Sequence, residues 1–127
     1  MQNKTNRHIL IIDDDPEVID LLKDFFEGNE FKVGTASTGV EGIDYFKETL
    51  PDLVVTDLLL PGEHGINVIK TIKENYFVPV IIMSSIYKEA EIKFLMEEYF
   101  VEAFFEKPFD LKELLKKVND ILDAKSV

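Results

Sequence analysis

The sequence contains no cysteine, which excludes a disulfide framework and a thiolate metal site. It also has no long apolar run: the stretches 58–60 and 80–83 are far shorter than the roughly 20 residues that a helix needs to cross a bilayer. Residues 1–8 are polar and lack the apolar core of a secretory signal. Together these absences predict a cytoplasmic protein that does not enter a membrane.

Basic residues are also few. Lysine and arginine total 14 against 25 aspartates and glutamates, which gives a formal net charge of −11 at pH 7. Because nucleic-acid binding needs a basic surface, we do not expect this domain to bind nucleic acid directly. The acidic balance suits a domain that binds cations and meets basic or polar protein surfaces.

The length and apolar content predict one domain with a true hydrophobic core. The chain has 127 residues, of which 46% are hydrophobic, and this length leaves no room for a second domain. We therefore expect residues 1–127 to form a single domain, with its core at about 8–123 and no separate output domain in the chain.

The first structural signal is a strand followed by a helix. Residues 8–12 are apolar almost throughout and rich in β-branched side chains, as in a strand buried on both faces. The run stops at three consecutive aspartates, after which Pro16 is predicted to begin a helix with Asp15 as its N-cap. Gly28 is a natural residue to end that helix.

The same alternation continues to the end of the chain. It predicts further strands over 31–36, 53–56, 80–83 and 103–106, and further helices over 40–50, 66–75, 88–99 and 110–122. Five strands alternating with five helices indicate an α/β fold with a parallel sheet and helices on both faces. We expect a doubly wound, flavodoxin-like five-stranded sheet in the order 2-1-3-4-5.

Polar residues follow four of the five predicted strands. Asp13 and Asp14 come after the first strand, Asp57 after the third, Ser84 after the fourth and Lys107 after the fifth. In doubly wound sheets, ligands bind outside the carboxyl ends of the strands. These four separate stretches are therefore expected to meet at one edge of the sheet.

The acidic residues at this edge favour a metal site. Carboxylates about 4 Å apart repel one another by on the order of 4 kcal/mol, which a raised pKa or a bound divalent cation relieves. Oxygen ligands of this kind suit Mg2+, which prefers few carboxylates together with waters and phosphate oxygens. The alternative is a solvated acidic turn that caps a helix. Asp57, after a second buried strand, shifts the balance toward the metal site.

Asp57 is poorly placed for the usual role of an aspartate after a strand. Three leucines separate it from the turn at Pro61 and Gly62, so it is poorly placed to cap a helix or to form that turn. A half-buried carboxylate near Mg2+ and a basic side chain has the properties of a nucleophile toward phosphorus.

Lys107 and Ser84 have the chemistry to contact a phosphoryl group. Pro108 confines Lys107 to extended conformations, so that the lysine can reach the acidic edge as a point charge. The ordinary alternative is a solvent-exposed lysine. Ser84 has a hydroxyl that can donate to a phosphoryl oxygen, or simply to its own backbone.

Taken in order along the chain, these residues resemble those of the response-regulator receiver domain of two-component signalling. No single motif is decisive, but each one ends a successive strand, and the resemblance runs from Ile9 to about Leu122. The matching residues are Asp13-Asp14, Asp57, Leu60-Pro61-Gly62 with Gly65, Ser84 and Lys107-Pro108-Phe109.

The resemblance implies that Asp57 accepts a phosphoryl group from a phosphohistidine on a sensor histidine kinase or a phosphotransfer protein. It also implies that Mg2+ is held by Asp13, Asp14, Asp57 and the backbone carbonyl of Leu59, directly or through water. The chain would then be a switch that assists its own phosphorylation, and not a conventional turnover enzyme.

The resemblance further assigns Ser84 and Lys107 to the phosphoryl oxygens. Phe104 matches the switch aromatic, which moves inward when the hydroxyl residue moves toward phosphate. The output surface would be the fourth helix, fifth strand and fifth helix, facing a downstream protein target or a linked output domain. The apolar surplus of the fourth helix fits a partner or homodimer interface there, or equally a wide core stripe.

Three positions depart from the common receiver pattern. Leu59 and Ile86 are apolar where receivers often carry polar groups beside the path of attacking water, which predicts slow self-dephosphorylation. Phe100 stands with Val101 where many receivers have a Gly-Ala pair. His64 and His8 are interpreted as ordinary structural residues.

Three rival functions remain at this stage. A flavin-binding protein of the same fold would need a hydroxyl- and glycine-rich phosphate loop in place of the three aspartates. A metal-dependent phosphatase with an aspartate nucleophile would usually have a second acid at the position of Leu59. A receiver-like scaffold that has lost phosphorylation would not be expected to keep Ser84 and Lys107.

Overall fold

The computed structural model describes residues 7–62 and 64–125 and contains five strands and five helices within those ranges. The strands are β1 (His8–Ile12), β2 (Lys32–Ala36), β3 (Leu53–Asp57), β4 (Val80–Ser84) and β5 (Ala103–Glu106). The helices are α1 (Pro16–Gly28), α2 (Gly39–Thr49), α3 (Gly65–Asn75), α4 (Glu89–Glu98) and α5 (Leu111–Lys125).

The strands form one parallel sheet in the order β2-β1-β3-β4-β5, which confirms the predicted fold. Every residue of β1, β3 and β4 is buried, as expected for strands that are mostly apolar and covered on both faces. Because all strands run the same way, their carboxyl ends meet at one edge. There Asp57 pairs with Met83, and Ser84 pairs with Glu106.

The core consists of two layers, one on each face of the sheet. Alternate residues of each strand point to opposite faces. Leu10, Val54 and Ile82 face the side covered by α2, α3 and α4. Ile9 and Ile81 face the side covered by α1 and α5. The sheet is thus held from both faces, and its carboxyl edge is a fixed platform.

The ends of α1 show how closely local chemistry sets a boundary. Pro16 is the first helical residue, and the Asp15 side chain accepts a hydrogen bond from Glu17 N, so this predicted start is confirmed. The helix ends at Gly28 as expected, but the left-handed residue that turns the chain is Glu30, with φ 71°. The predicted end of the helix is therefore confirmed, and the left-handed residue lies two positions further along the chain.

The remaining boundaries lie close to those predicted from the sequence. Most differ by one residue, and the last helix continues to Lys125. Across residues 7–62 and 64–125, no helix combines the length and the apolar character needed to cross a bilayer.

Candidate functional site

Lys107 joins two carboxylates at the carboxyl edge of the sheet. Its Nζ donates to Asp57 Oδ2 over 2.7 Å and to Asp13 Oδ2 over 2.5 Å. Asp13 is fully buried, Asp57 is almost so, and the Lys107 side chain is 17% exposed. The residue after β1, the last residue of β3 and the residue after β5 therefore meet at one point.

The charges in this cluster are unequal. Burial raises the pKa of Asp13, and the hydrogen bond from Lys107 offsets that effect only in part. Burial would lower the pKa of Lys107, but its bonds to Asp13 and Asp57 outweigh this and raise the pKa. Lys107 therefore stays protonated, and one positive charge faces two carboxylates in a poorly solvated place.

Backbone N–H groups fix both carboxylates. Asp57 Oδ1 accepts a hydrogen bond from Leu59 N at 3.0 Å, and Asp13 Oδ1 accepts one from Asp15 N at 2.9 Å. In each carboxylate, one oxygen accepts a hydrogen bond from a backbone N–H and the other accepts one from Lys107. This double attachment restricts rotation of the carboxylates and holds them in place for chemistry.

Asp14 is exposed to solvent, unlike the buried carboxylates of Asp13 and Asp57. With Asp13, Asp20 and Glu41 it lines a cleft of about 230 Å³ beside β1. Within residues 7–62 and 64–125, no three acidic or histidine side chains are gathered closely enough to hold a metal ion. The donor chemistry still fits Mg2+, since all the oxygens are hard ligands and the cluster has unmatched negative charge.

The turn after β3 depends on Gly65. The Gly65 N–H donates to Leu58 O at 2.9 Å, and a Cβ on Gly65 would lie 2.5 Å from Leu58 Cα and 2.6 Å from Asp57 O. Only glycine lets α3 begin this close to the strand that carries Asp57. His64 is the N-cap of α3, where its Nδ1 accepts from Ile66 N, so it is a helix-start residue.

Ser84 lies at the same edge but is bonded elsewhere. Its side chain is fully buried, and its Oγ donates to the carbonyl of Ile86 over 2.9 Å. The Lys107 N–H donates to Ser84 O over 2.9 Å, which holds the ends of β4 and β5 side by side. The structure therefore brings the backbones of Ser84 and Lys107 together, while the Ser84 hydroxyl is hydrogen-bonded to the carbonyl of Ile86.

Phe104 is half-buried and packs against an aromatic ring that the sequence interpretation did not single out. Its ring meets Tyr87 edge to face, with centroids 4.6 Å apart. The Tyr87 hydroxyl donates to Glu106 Oε2 over 3.0 Å. The receiver resemblance singles out Phe104, but no sequence signal points to its contact with Tyr87, which lies in a different part of the chain and belongs to no motif.

The fold and the cluster at its carboxyl edge are those expected of a receiver. The family model described as "Response regulator receiver domain" matches residues 9–119. The chain belongs to the response-regulator receiver family. This membership disfavours the flavin-binding interpretation, which shares the fold, and the phosphatase interpretation, which shares the aspartate nucleophile.

The receiver is similar to proteins from several organisms. Response regulator GtcR from Aneurinibacillus migulanus is 32% identical over 114 residues, which cover 90% of this chain and 47% of that protein. The receiver thus spans about half the length of this curated relative.

Solved structures agree with this placement. A two-component response regulator from Clostridium difficile has a TM-score of 0.89 at 26% identity, covering 95% of this chain and 99% of that one. A CheY-like receiver domain protein from Methanospirillum hungatei JF-1 has a TM-score of 0.87 at 26% identity, covering 94% and 96%.

Proposed function

We propose that this receiver is a phosphorylation-dependent switch in which Asp57 accepts a phosphoryl group from a phosphohistidine donor. The donor would be a sensor histidine kinase or a phosphotransfer protein. The observation that carries the proposal is the contact between Lys107 Nζ and Asp57 Oδ2, beside the buried carboxylate of Asp13. Family membership supports it, since receivers are the phosphorylated half of two-component systems.

The transfer itself needs little from the protein beyond position and charge. A carboxylate oxygen of Asp57 attacks phosphorus, the P–N bond to the donor histidine breaks, and its electron pair returns to the imidazole. Lys107 is placed to offset negative charge on the phosphoryl oxygens during this step. The Leu59 N–H holds the carboxylate in place.

Mg2+ belongs to the proposal on the chemistry of the donors. Asp13, Asp14, Asp57 and the backbone carbonyl of Leu59 would hold the ion, directly or through water. When bound, the ion supplies further positive charge next to the phosphoryl oxygens and relieves the repulsion between the carboxylates.

The output of the switch would follow from Ser84 and Phe104. A hydrogen bond from Ser84 to a phosphoryl oxygen would favour a second arrangement of the β4–α4 loop, with Phe104 moving inward. The α4-β5-α5 surface would carry that state to a protein target, to a linked output domain, or to a second copy of the receiver. The proposed location is the cytoplasm, where such kinases expose their phosphohistidine.

Phosphoramidate tests the proposal because it contains a P–N bond, as phosphohistidine does. With Mg2+, we expect the intact protein to gain one phosphoryl group by mass spectrometry, and Asp57→Asn to gain none. Beryllofluoride with Mg2+ should shift the backbone NMR signals of Leu59, Ser84 and Lys107. Full labelling of Asp57→Asn, or labelling unaffected by removal of Mg2+, would contradict the proposal.

A further inference from the structure

Ser84 can serve only one acceptor at a time. A hydroxyl has one proton to donate, and the Ser84 proton is directed to the carbonyl of Ile86 over 2.9 Å. A bond from Ser84 to a phosphoryl oxygen on Asp57 therefore requires this contact to break. Whatever stabilises the loop in its present form opposes the phosphorylated state.

Tyr87 holds the other end of the same short loop. Its hydroxyl donates to Glu106 Oε2 over 3.0 Å, and its ring packs on Phe104. The hydrogen bond to the Glu106 carboxylate also raises the pKa of Tyr87, so the phenol stays protonated and able to donate. The loop from Ser84 to Tyr87 is thus tied down at both ends.

Glu106 is itself fixed next to the site. It pairs with Ser84 in the register of β4 and β5, and it precedes Lys107 in the chain. The bond from Tyr87 therefore joins the β4–α4 loop to the strand that positions the lysine. A displacement of the loop toward Asp57 has to stretch or break it.

We propose that Tyr87 is a positioning residue whose bond to Glu106 holds the β4–α4 loop in its unphosphorylated form and so weakens phosphoryl binding at Asp57. This inference rests on the proposed function. Phosphorylation then has to break two hydrogen bonds of one loop, those of Ser84 and Tyr87.

The Tyr87 ring also lines a groove on the protein surface. Tyr87 and Phe104 line a groove of about 500 Å³ together with Ile92 and Met96 of α4. Once the Tyr87 hydroxyl leaves Glu106, both rings are free to rearrange and the groove changes shape. The bond therefore sets how strongly the state of Asp57 is reported to a partner at this face.

Tyr87→Phe tests the inference because it deletes the hydroxyl and keeps the ring on Phe104. We expect it to bind beryllofluoride, in the presence of Mg2+, about twofold to tenfold more tightly than the wild-type protein. The range corresponds to the loss of one hydrogen bond from the competing state. NMR titration of the backbone amides gives the apparent affinity directly.

Tyr45→Phe is the matched control. Tyr45 also uses its hydroxyl in a hydrogen bond, to His8 Nε2 at 2.7 Å near the start of β1, at the opposite end of the strand from the acidic site. Both variants should lose thermal stability, but only Tyr87→Phe should gain affinity for beryllofluoride. A purely structural role for Tyr87 predicts no such gain.

Two variants of Glu106 separate the hydrogen bond from the charge. Glu106→Gln removes the charge and keeps an acceptor oxygen, whereas Glu106→Ala removes both. We expect Glu106→Ala to bind beryllofluoride more tightly than Glu106→Gln. Adding Tyr87→Phe to Glu106→Ala should change the affinity no further, because the bond is already lost.

The outcomes separate the inference from the function on which it rests. Wild-type protein that binds no beryllofluoride would overturn both. Binding that depends on Asp57, with Tyr87→Phe equal to wild type or weaker, would overturn the inference alone. Full additivity between Tyr87→Phe and Glu106→Ala would do the same.

Discussion

Lys107 donates a hydrogen bond to Asp57 across 2.7 Å, although 50 residues separate them in the sequence. The parallel sheet makes this contact, since β3 and β5 end at the same edge. The contact ties the proposed phosphorylated residue to a charge that remains positive, because the pKa of Lys107 is raised by its two carboxylate partners despite burial.

With phosphoramidate as the donor, Lys107→Met should therefore slow phosphorylation of Asp57 on the order of 10-fold to 100-fold. The substitution removes the positive charge that offsets the negative charge on the phosphoryl oxygens. It should also lower the free energy of unfolding by about 1–3 kcal/mol, since Asp13 stays buried without its cation. Mass-spectrometric time courses and urea denaturation measure the two effects.

Lys73→Met is the control for that experiment. Lys73 is likewise paired with a carboxylate, that of Glu102 at 2.8 Å, but near the start of β4 and β5. It should leave the rate of phosphorylation unchanged. An equal loss of rate in both variants would show that Lys107 acts only through stability.

The double replacement Leu59→Asn with Ile86→Glu should speed loss of the phosphoryl group by on the order of tenfold, because polar groups beside Asp57 can orient an attacking water. In the native chain, loss should be slow. Decay of the phosphorylated mass after removal of the donor measures both rates. Leu50→Asn, which replaces another exposed leucine away from the site, should have no effect on the rate. Decay of the phosphorylated native protein within seconds would refute the expectation.

Phe100→Gly should stabilise the protein by about 0.5–1 kcal/mol. Phe100 has φ 55°, in the left-handed region that favours glycine, and its side chain is 77% exposed, so little packing is lost. Phe100→Ala keeps a Cβ and should give no such gain. Urea denaturation compares the three proteins, and equal stability of the Gly and Ala variants would argue against backbone strain.

His8 should make stability fall below neutral pH. The pKa of His8 lies below its ordinary value of 6.5, because of burial and then the charge of Lys32, while Asp52 acts in the opposite direction. The unfolded chain therefore takes up a proton before the folded one does. The resulting loss of stability begins as the pH falls through about 6.5 and is complete below the lowered pKa of the folded state.

His8→Gln removes that titration and should flatten the pH dependence of the free energy of unfolding between pH 7.5 and 5 relative to wild type. Tyr45, whose hydroxyl meets His8 Nε2, is the uncharged neighbour that protonation of His8 would disturb. Parallel curves for the two proteins over this range would show that His8 contributes nothing to the dependence.

The sequence was sufficient to predict the fold because its signals are local. The apolar run of residues 8–12, the Asp15 cap and the abrupt change at Pro16 each fix a boundary without help from distant residues. Glu30 shows the limit: its left-handed backbone follows the end of α1 by two residues, and the sequence carries no signal for it because glutamate does not favour that conformation.

The candidate site was predicted only as a set of residues at one edge. Topology alone brings Asp13, Asp57 and Lys107 together, so motif order could anticipate their meeting. The exposed position of Asp14 and the direction of the Ser84 hydroxyl depend on side-chain rotamers, which no periodicity encodes. In α4, Ile92 and Leu95 are buried while Phe94 is exposed, so both the core stripe and the apolar surplus are present.

The exposure of Leu59 and Ile86 has one more consequence. These side chains are 46% and 70% exposed, and replacement of exposed residues usually changes folding free energy by no more than about 0.5 kcal/mol. If they govern access of water to the acyl phosphate, the lifetime of the phosphoryl group can change without a change in the free energy of unfolding. Related receivers can then differ in how long they stay phosphorylated through substitutions at these two surface positions, while the fold stays the same.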